Sequence, residues 1–184
     1  MPINGSGWEI LFVRDSVQTR ASDGKRRTVG RYQIFHDGVP QTGTDMAGEF
    51  AETRGPGDNS TPDNNRRIEA GRYPLHTQGG NKYATFGYVE SDSSGVKPKP
   101  GIELKGCEPR SEILIHPGRG FLASIGCINL CTSLPNAAEG VTYTSSRRRV
   151  IAMLEDMKAF LGAAFPTQNE RPVPGAHAVI DGEP

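Results

Sequence analysis

Val29-Gly30-Arg31-Tyr32-Gln33-Ile34-Phe35-His36-Asp37-Gly38 decides the fold class of this chain. Its β-branched and aromatic residues suit an extended strand, and the Asp37-Gly38 pair supplies the tight turn that closes it. Working outward, Trp8 to Arg14 reads as a preceding strand, Glu49 to Thr53 as a short following one, and Gly71 to His76 as a further extended segment. Tyr83 to Val89 alternates, with Tyr83, Thr85, Gly87 and Val89 on one face and Ala84, Phe86 and Tyr88 on the other. Glu112 to His116 is a short apolar strand that ends in a histidine and a Pro-Gly turn. Arg54 to Arg67 and Ser91 to Pro100 are polar, proline-containing loops. The 23 glycines and 14 prolines suit many short strands joined by turns.

One helix is predicted. Thr144 or Ser145 is its candidate N-cap, and Val150, Ile151, Met153, Leu154, Met157, Phe160 and Leu161 recur at helical spacing. Gly162 sits where a terminating glycine belongs. After Phe165 the chain is proline-rich and polar, which predicts a poorly ordered tail or an extended arm. The expected organisation is one domain over 1–165 and a tail over 166–184. Its fold class is mainly β (a β-rich α+β arrangement) with one supporting helix.

Composition removes several function classes. The 21 basic residues balance the 21 acidic ones, which argues against nucleic acid as a partner. The dense run Arg147-Arg148-Arg149 reads as a solvated helix end. No apolar run approaches the roughly 20 residues needed to cross a bilayer, so no membrane insertion is expected. The N-terminus lacks a basic start, a long apolar stretch and a small-residue cleavage site, which predicts synthesis in the cytoplasm without a secretory signal. Three cysteines do not make a disulfide framework.

The segment that carries chemistry is Arg110-Ser111-Glu112-Ile113-Leu114-Ile115-His116-Pro117-Gly118-Arg119-Gly120-Phe121-Leu122-Ala123-Ser124-Ile125-Gly126-Cys127-Ile128-Asn129-Leu130. A cysteine attacks as its thiolate, which its ordinary pKa of about 8.5 makes scarce at neutral pH. A neighbouring imidazole takes the proton, so Cys127 is the candidate nucleophile and His116 its base. Gly126 allows a sharp turn and close substrate approach, and backbone N–H groups around Ile125, Gly126 and Cys127 are candidate oxyanion donors. A backbone carbonyl near Ser124 or Ile125 is the expected acceptor for the other ring N–H of His116. Ser124 itself suits a local hydrogen bond, with a part in the chemistry as the alternative. Cys107 and Cys131 read as core residues, and His36, His76 and His177 as surface or turn histidines. A Cys107, His116, Cys127 and Cys131 zinc site is a rival arrangement, although its spacings lack the paired knuckles of structural zinc sites. No cofactor or metal is otherwise expected.

This block resembles the signature of the YkuD-type L,D-transpeptidase catalytic domain, on His116, Gly118, Ser124, Gly126, Cys127, Ile128 and Asn129. It is also similar to a small group of phage and bacterial domains with an "ILIHPG…GCI" block after an "IPAGxY"-like block, here Ile113 to Gly118, Gly126 to Ile128, and Ile68 to Tyr73. The resemblance covers Trp8 to Leu130, more loosely at its upstream end, and implies curved antiparallel sheets. It implies attack by the cysteine on a peptidoglycan stem peptide, a thioester acyl-enzyme, and resolution by an amine or by water. Arg119 and Arg110 are the candidate holders of a substrate carboxylate, with Asn129 and Gly118 beside the substrate. Two departures stand out. Only seven residues separate His116 from Ser124, and Ile125 occupies a position where those enzymes usually carry a second histidine. If that position acts through its backbone, isoleucine serves; if its imidazole acts, the chemistry is impaired or different.

The short loop resembles a truncated, secretion-delivered branch of the superfamily. Together with the missing leader, it suggests an antibacterial effector delivered to the periplasm or cell wall by a type VI-like secretion machine, with an immunity protein as partner, or a phage lysis factor. The alternative is a catalytically inactive binding or structural module in a phage or secretion particle.

Overall fold

The computed structural model describes residues 2–184. The strands in chain order are β1 (Trp8–Thr19), β2 (Arg26–His36), β3 (Val39–Pro40), β4 (Ala47–Thr53), β5 (Gly71–Thr77), β6 (Tyr83–Ala84), β7 (Lys99–Pro100), β8 (Ile102–Leu104), β9 (Ile113–Ile115), β10 (Asn129–Cys131) and β11 (Pro172–Asp181). The one α-helix among the described residues is α1 (Tyr143–Leu161). The protein is mainly β. The main sheet runs β10-β4-β2-β1-β11-β5-β8-β9, with β3 on β2, and β6 and β7 pair separately. Its two ends meet: Ile115 of β9 bridges Ile128, the residue before β10, in parallel register. The curved sheet thereby closes on itself at a single narrow seam.

Alternation builds the core. Trp8, Ile10 and Phe12 of β1 and Ile34 of β2 are fully buried, and they share one cluster with Phe50, Leu75, Ile115, Ile128 and Leu130. Helix α1 adds Val150, Met153, Leu154 and Met157, each contributing about 1.5–3 kcal/mol by leaving water. Asp156 on the same helix accepts from Trp8 Nε1 at 2.8 Å and pairs with His36 Nε2 at 2.8 Å, while His36 stacks on Phe160. The N-cap is Thr142, two residues before the nearer expected position, Thr144, so the helix starts at Tyr143, and it ends at Gly162 as its sequence predicts. No described helix is long and apolar enough to cross a membrane.

Three expectations need correction. Residues 166–184 do not form a tail outside the domain. Pro172–Asp181 is a central strand, parallel to β1 and antiparallel to β5. The proline-rich composition conceals it, because Pro172 and Pro174 fall at the strand's irregular start and Ala176, Ala178, Val179 and Ile180 carry the burial. The alternation over Tyr83 to Val89 yields a strand only at Tyr83–Ala84. Beyond it, the Asn169 side chain satisfies the backbone of Phe86, and Gly87 turns the chain with a φ of 74°. The Arg147-Arg148-Arg149 run is not a solvated end: Arg147 and Arg149 are buried, and Arg148 pairs with Asp45. Cys107 and Cys131 are buried, as expected.

A chain ending at Phe165 is expected to lose the cooperative thermal transition of the full chain, followed by circular dichroism. A melt within a few degrees of the full chain's would place β11 outside the folding unit.

Candidate active site

The seam builds the site. The His116 N–H donates to Ile128 O at 3.1 Å, and the Ile128 N–H donates to Leu114 O at 2.8 Å. Side chains alternate along extended backbone. Ile115 and Ile128 point into the core, so Leu114 and His116 on one segment and Cys127 and Asn129 on the other face the opposite way. There Leu114, His116 and Cys127 border a cleft of about 580 Å³, whose lining also includes Ser124, Ile125 and Gly126. Residues eleven positions apart in the chain thus reach one cavity.

His116 is 2 % exposed. Its Nδ1 lies 2.9 Å from the carbonyl of Pro117. The carbonyl only accepts and is closer than the Asn129 Nδ2 donor at 3.3 Å, so this contact favours the proton on Nδ1, with the lone pair on Nε2. The acceptor is Pro117 rather than a carbonyl near Ser124 or Ile125, which corrects the expected orienting group. The Tyr83 ring covers the imidazole, with ring centroids 4.1 Å apart. Burial pushes the imidazole down to about 4, opposed by the Pro117 hydrogen bond, with the Lys99 charge adding to the fall. Asn129 Nδ2 donates to His116 O at 2.9 Å, and Ser146 of α1 accepts the Gly118 N–H at 2.9 Å. The segment after the imidazole is therefore fixed from both sides.

Cys127 is half-buried. Its sulfur accepts from the Leu114 N–H at 3.4 Å and donates to Glu112 O at 3.5 Å. Burial pushes the thiol up to about 11. At neutral pH the site therefore holds a thiol and a neutral imidazole rather than an ion pair. Ser124 Oγ donates to Cys127 O at 2.7 Å, closing the loop around Cys127 as a local hydrogen-bonder. Gly126 is required by close approach: a Cβ there would lie 2.4 Å from Arg110 Nη2.

The candidate substrate-holding residues fall elsewhere. Arg119 reaches Ser94 Oγ and is not part of the cleft lining. Asn129 and Gly118 are not part of the cleft lining and bond instead to His116 O and Ser146 Oγ. Arg110 lines the cleft, but its guanidinium is engaged by the carbonyls of Asp58, Arg66 and Arg67. Ile125 is 64 % exposed at the lip. Sequence reasoning missed Tyr83 and Lys82, both in the lining, because they arrive from a segment that carries no motif. The rival zinc arrangement is not assembled: among the described residues no three His, Cys, Asp or Glu side chains are grouped to hold a metal.

The imidazole has a consequence for stability. The unfolded chain protonates His116 near pH 6.5 and the folded chain only near about pH 4. The unfolded state thus binds more protons between these values, and stability falls as pH falls through the window, by about 3 kcal/mol from this group. Denaturant titrations across the window are expected to give a shallower decline for His116→Gln than for the natural chain. Equal slopes would show that the imidazole is not buried neutral.

No family model, curated protein or solved structure matches this chain, and the geometry of the cleft carries the functional argument.

Proposed function

We propose that the cleft is the site of cysteine-dependent acyl transfer on peptidoglycan stem peptides, of the L,D-transpeptidase or L,D-carboxypeptidase type. The observation that carries this reading is one cleft containing both a half-buried thiol and an imidazole whose tautomer leaves Nε2 free. Cys127 Sγ attacks the scissile carbonyl carbon as its proton passes to His116 Nε2. The same proton then goes to the leaving amine nitrogen as the C–N bond breaks, leaving a thioester. Water or an incoming amine attacks that thioester, gives a proton to Nε2, and releases Sγ, which takes the proton back. The backbone N–H groups of Gly126 and Cys127 have no intramolecular acceptor among the described residues, which suits donors for a developing oxyanion. Delivery to the wall by a secretion machine, with an immunity partner, or release during phage lysis completes the reading.

A specific observation favours a second reading. The sulfur donates to Glu112 O rather than to the imidazole, and its pKa is high. That suits an inert thiol in a binding or structural module of a phage or secretion particle.

Purified stem tetrapeptide separates the two readings. The natural chain is expected to release D-Ala and to carry a thioester adduct detectable by intact mass spectrometry. Cys127→Ala is expected to do neither, with turnover reduced at least about a thousandfold. Absence of both release and adduct with the natural chain would remove the enzyme reading.

A further inference from the structure

Arg110 is 4 % exposed, on the segment leading into β9. Its guanidinium donates to three carbonyls: Nη1 to Asp58 O at 2.9 Å and Arg67 O at 3.2 Å, and Nη2 to Arg66 O at 2.9 Å. Carbonyls satisfy hydrogen bonds without neutralising charge, and no ion pair joins Arg110 to a carboxylate among the described residues. A buried charge left unneutralised is costly. Its position gives that cost a use. The main chain of Gly126 crosses the guanidinium so closely that a Cβ would lie 2.4 Å from Nη2, and the next residue is Cys127. From the other segment, the Leu114 N–H points at Sγ.

We propose that Arg110 is a positioning residue, a fixed buried cation that stabilises negative charge on Cys127 Sγ from behind the nucleophile. The assignment rests on Cys127 being the reactive group of the cleft, and it replaces the expectation that Arg110 binds a substrate carboxylate. The titratable and charged groups that share the cleft with the sulfur are Asp63, Lys82, Tyr83, Arg110, Glu112 and His116. Of these, Arg110 favours the thiolate and the Glu112 carboxylate opposes it. Fixed in three carbonyls, the guanidinium needs no rearrangement when the charge forms.

The test is the pH–rate profile for alkylation of Cys127 by iodoacetamide from about pH 7 to about pH 12, with the site mapped by peptide mass spectrometry. Arg110→Gln is expected to displace the profile upward by about one pH unit, which is about tenfold slower reaction below the midpoint. Arg110→Lys, which keeps the charge, is expected to stay within about twofold of the natural chain. Equal displacement in both variants, or none in Arg110→Gln, would overturn the inference. If Arg110→Gln melts without a cooperative transition, citrulline at position 110 keeps the planar donors without the charge. It can be installed by ligation at the Gly106–Cys107 and Gly126–Cys127 junctions, and the same displacement is expected. The readout needs no peptidoglycan. A charge-dependent profile in a protein that leaves stem peptides untouched upholds this inference and removes the function proposed above.

Discussion

Two hydrogen bonds, His116 N–H to Ile128 O and Ile128 N–H to Leu114 O, close the curved sheet where its end strands meet. The site depends on them because they set a register. Side chains on extended backbone alternate, and a slip by one residue would turn Cys127 into the core and Ile128 into the cleft. The register is held by Ile115 and Ile128, both fully buried, which belong to the same apolar cluster as Trp8, Phe12 and Leu154. Reactive groups on the outer side of the seam are thus positioned by apolar residues on its inner side.

Burial moves both partners away from an ion pair, the thiol up to about 11 and the imidazole down to about 4. Transferring the proton in the resting site would therefore cost on the order of 10 kcal/mol. Full transfer before attack is therefore disfavoured. For the proposed acyl transfer, proton movement concerted with carbon–sulfur bond formation therefore fits better than a stepwise ion pair. In the proposed reaction the groups that would act at that moment are the Leu114 N–H, the Arg110 charge, and the N–H groups of Gly126 and Cys127.

The sequence makes the β-rich class and the single helix legible because alternation and helical spacing are local signals. Val150, Met153, Leu154 and Met157 announce α1, and the Asp37-Gly38 pair marks the end of β2. Cys127 and His116 are legible as a pair only through motif spacing, since nothing local states that β9 and the segment before β10 are neighbours. Strand β11 is hidden because Pro, Gly and Ala dominate its composition, while its burial comes from lying between β1 and β5. Tyr83 and the Pro117 carbonyl are illegible for a related reason. One arrives from an excursion without a pattern, and the other is a backbone group that every residue possesses.

Buried arginines hold loop segments that apolar packing does not, and one of them, Arg110, lines the cleft. Arg110 gathers Asp58, Arg66 and Arg67 of the 54–67 loop. Arg27, fully buried, donates to Phe121 O and Asn136 O at 3.0 Å each, on either side of the loop carrying Ser124 to Cys127, and lies 4.4 Å from the Phe121 ring centroid. Arg14, paired with Glu52 at 2.5 Å, donates to Ile68 O at 2.7 Å and to the C-terminal segment at Gly182 O. A planar guanidinium offers five donors in a fixed fork, against three on one lysine nitrogen and two on an amide. Each clamp places a positive charge in the interior. Arg14 is neutralised by Glu52, whereas Arg110, nearest the nucleophile, is left with carbonyls alone. The same device that fixes the loops therefore leaves positive charge without a carboxylate partner next to the one half-buried cysteine, where the proposed reaction needs a negative charge to form.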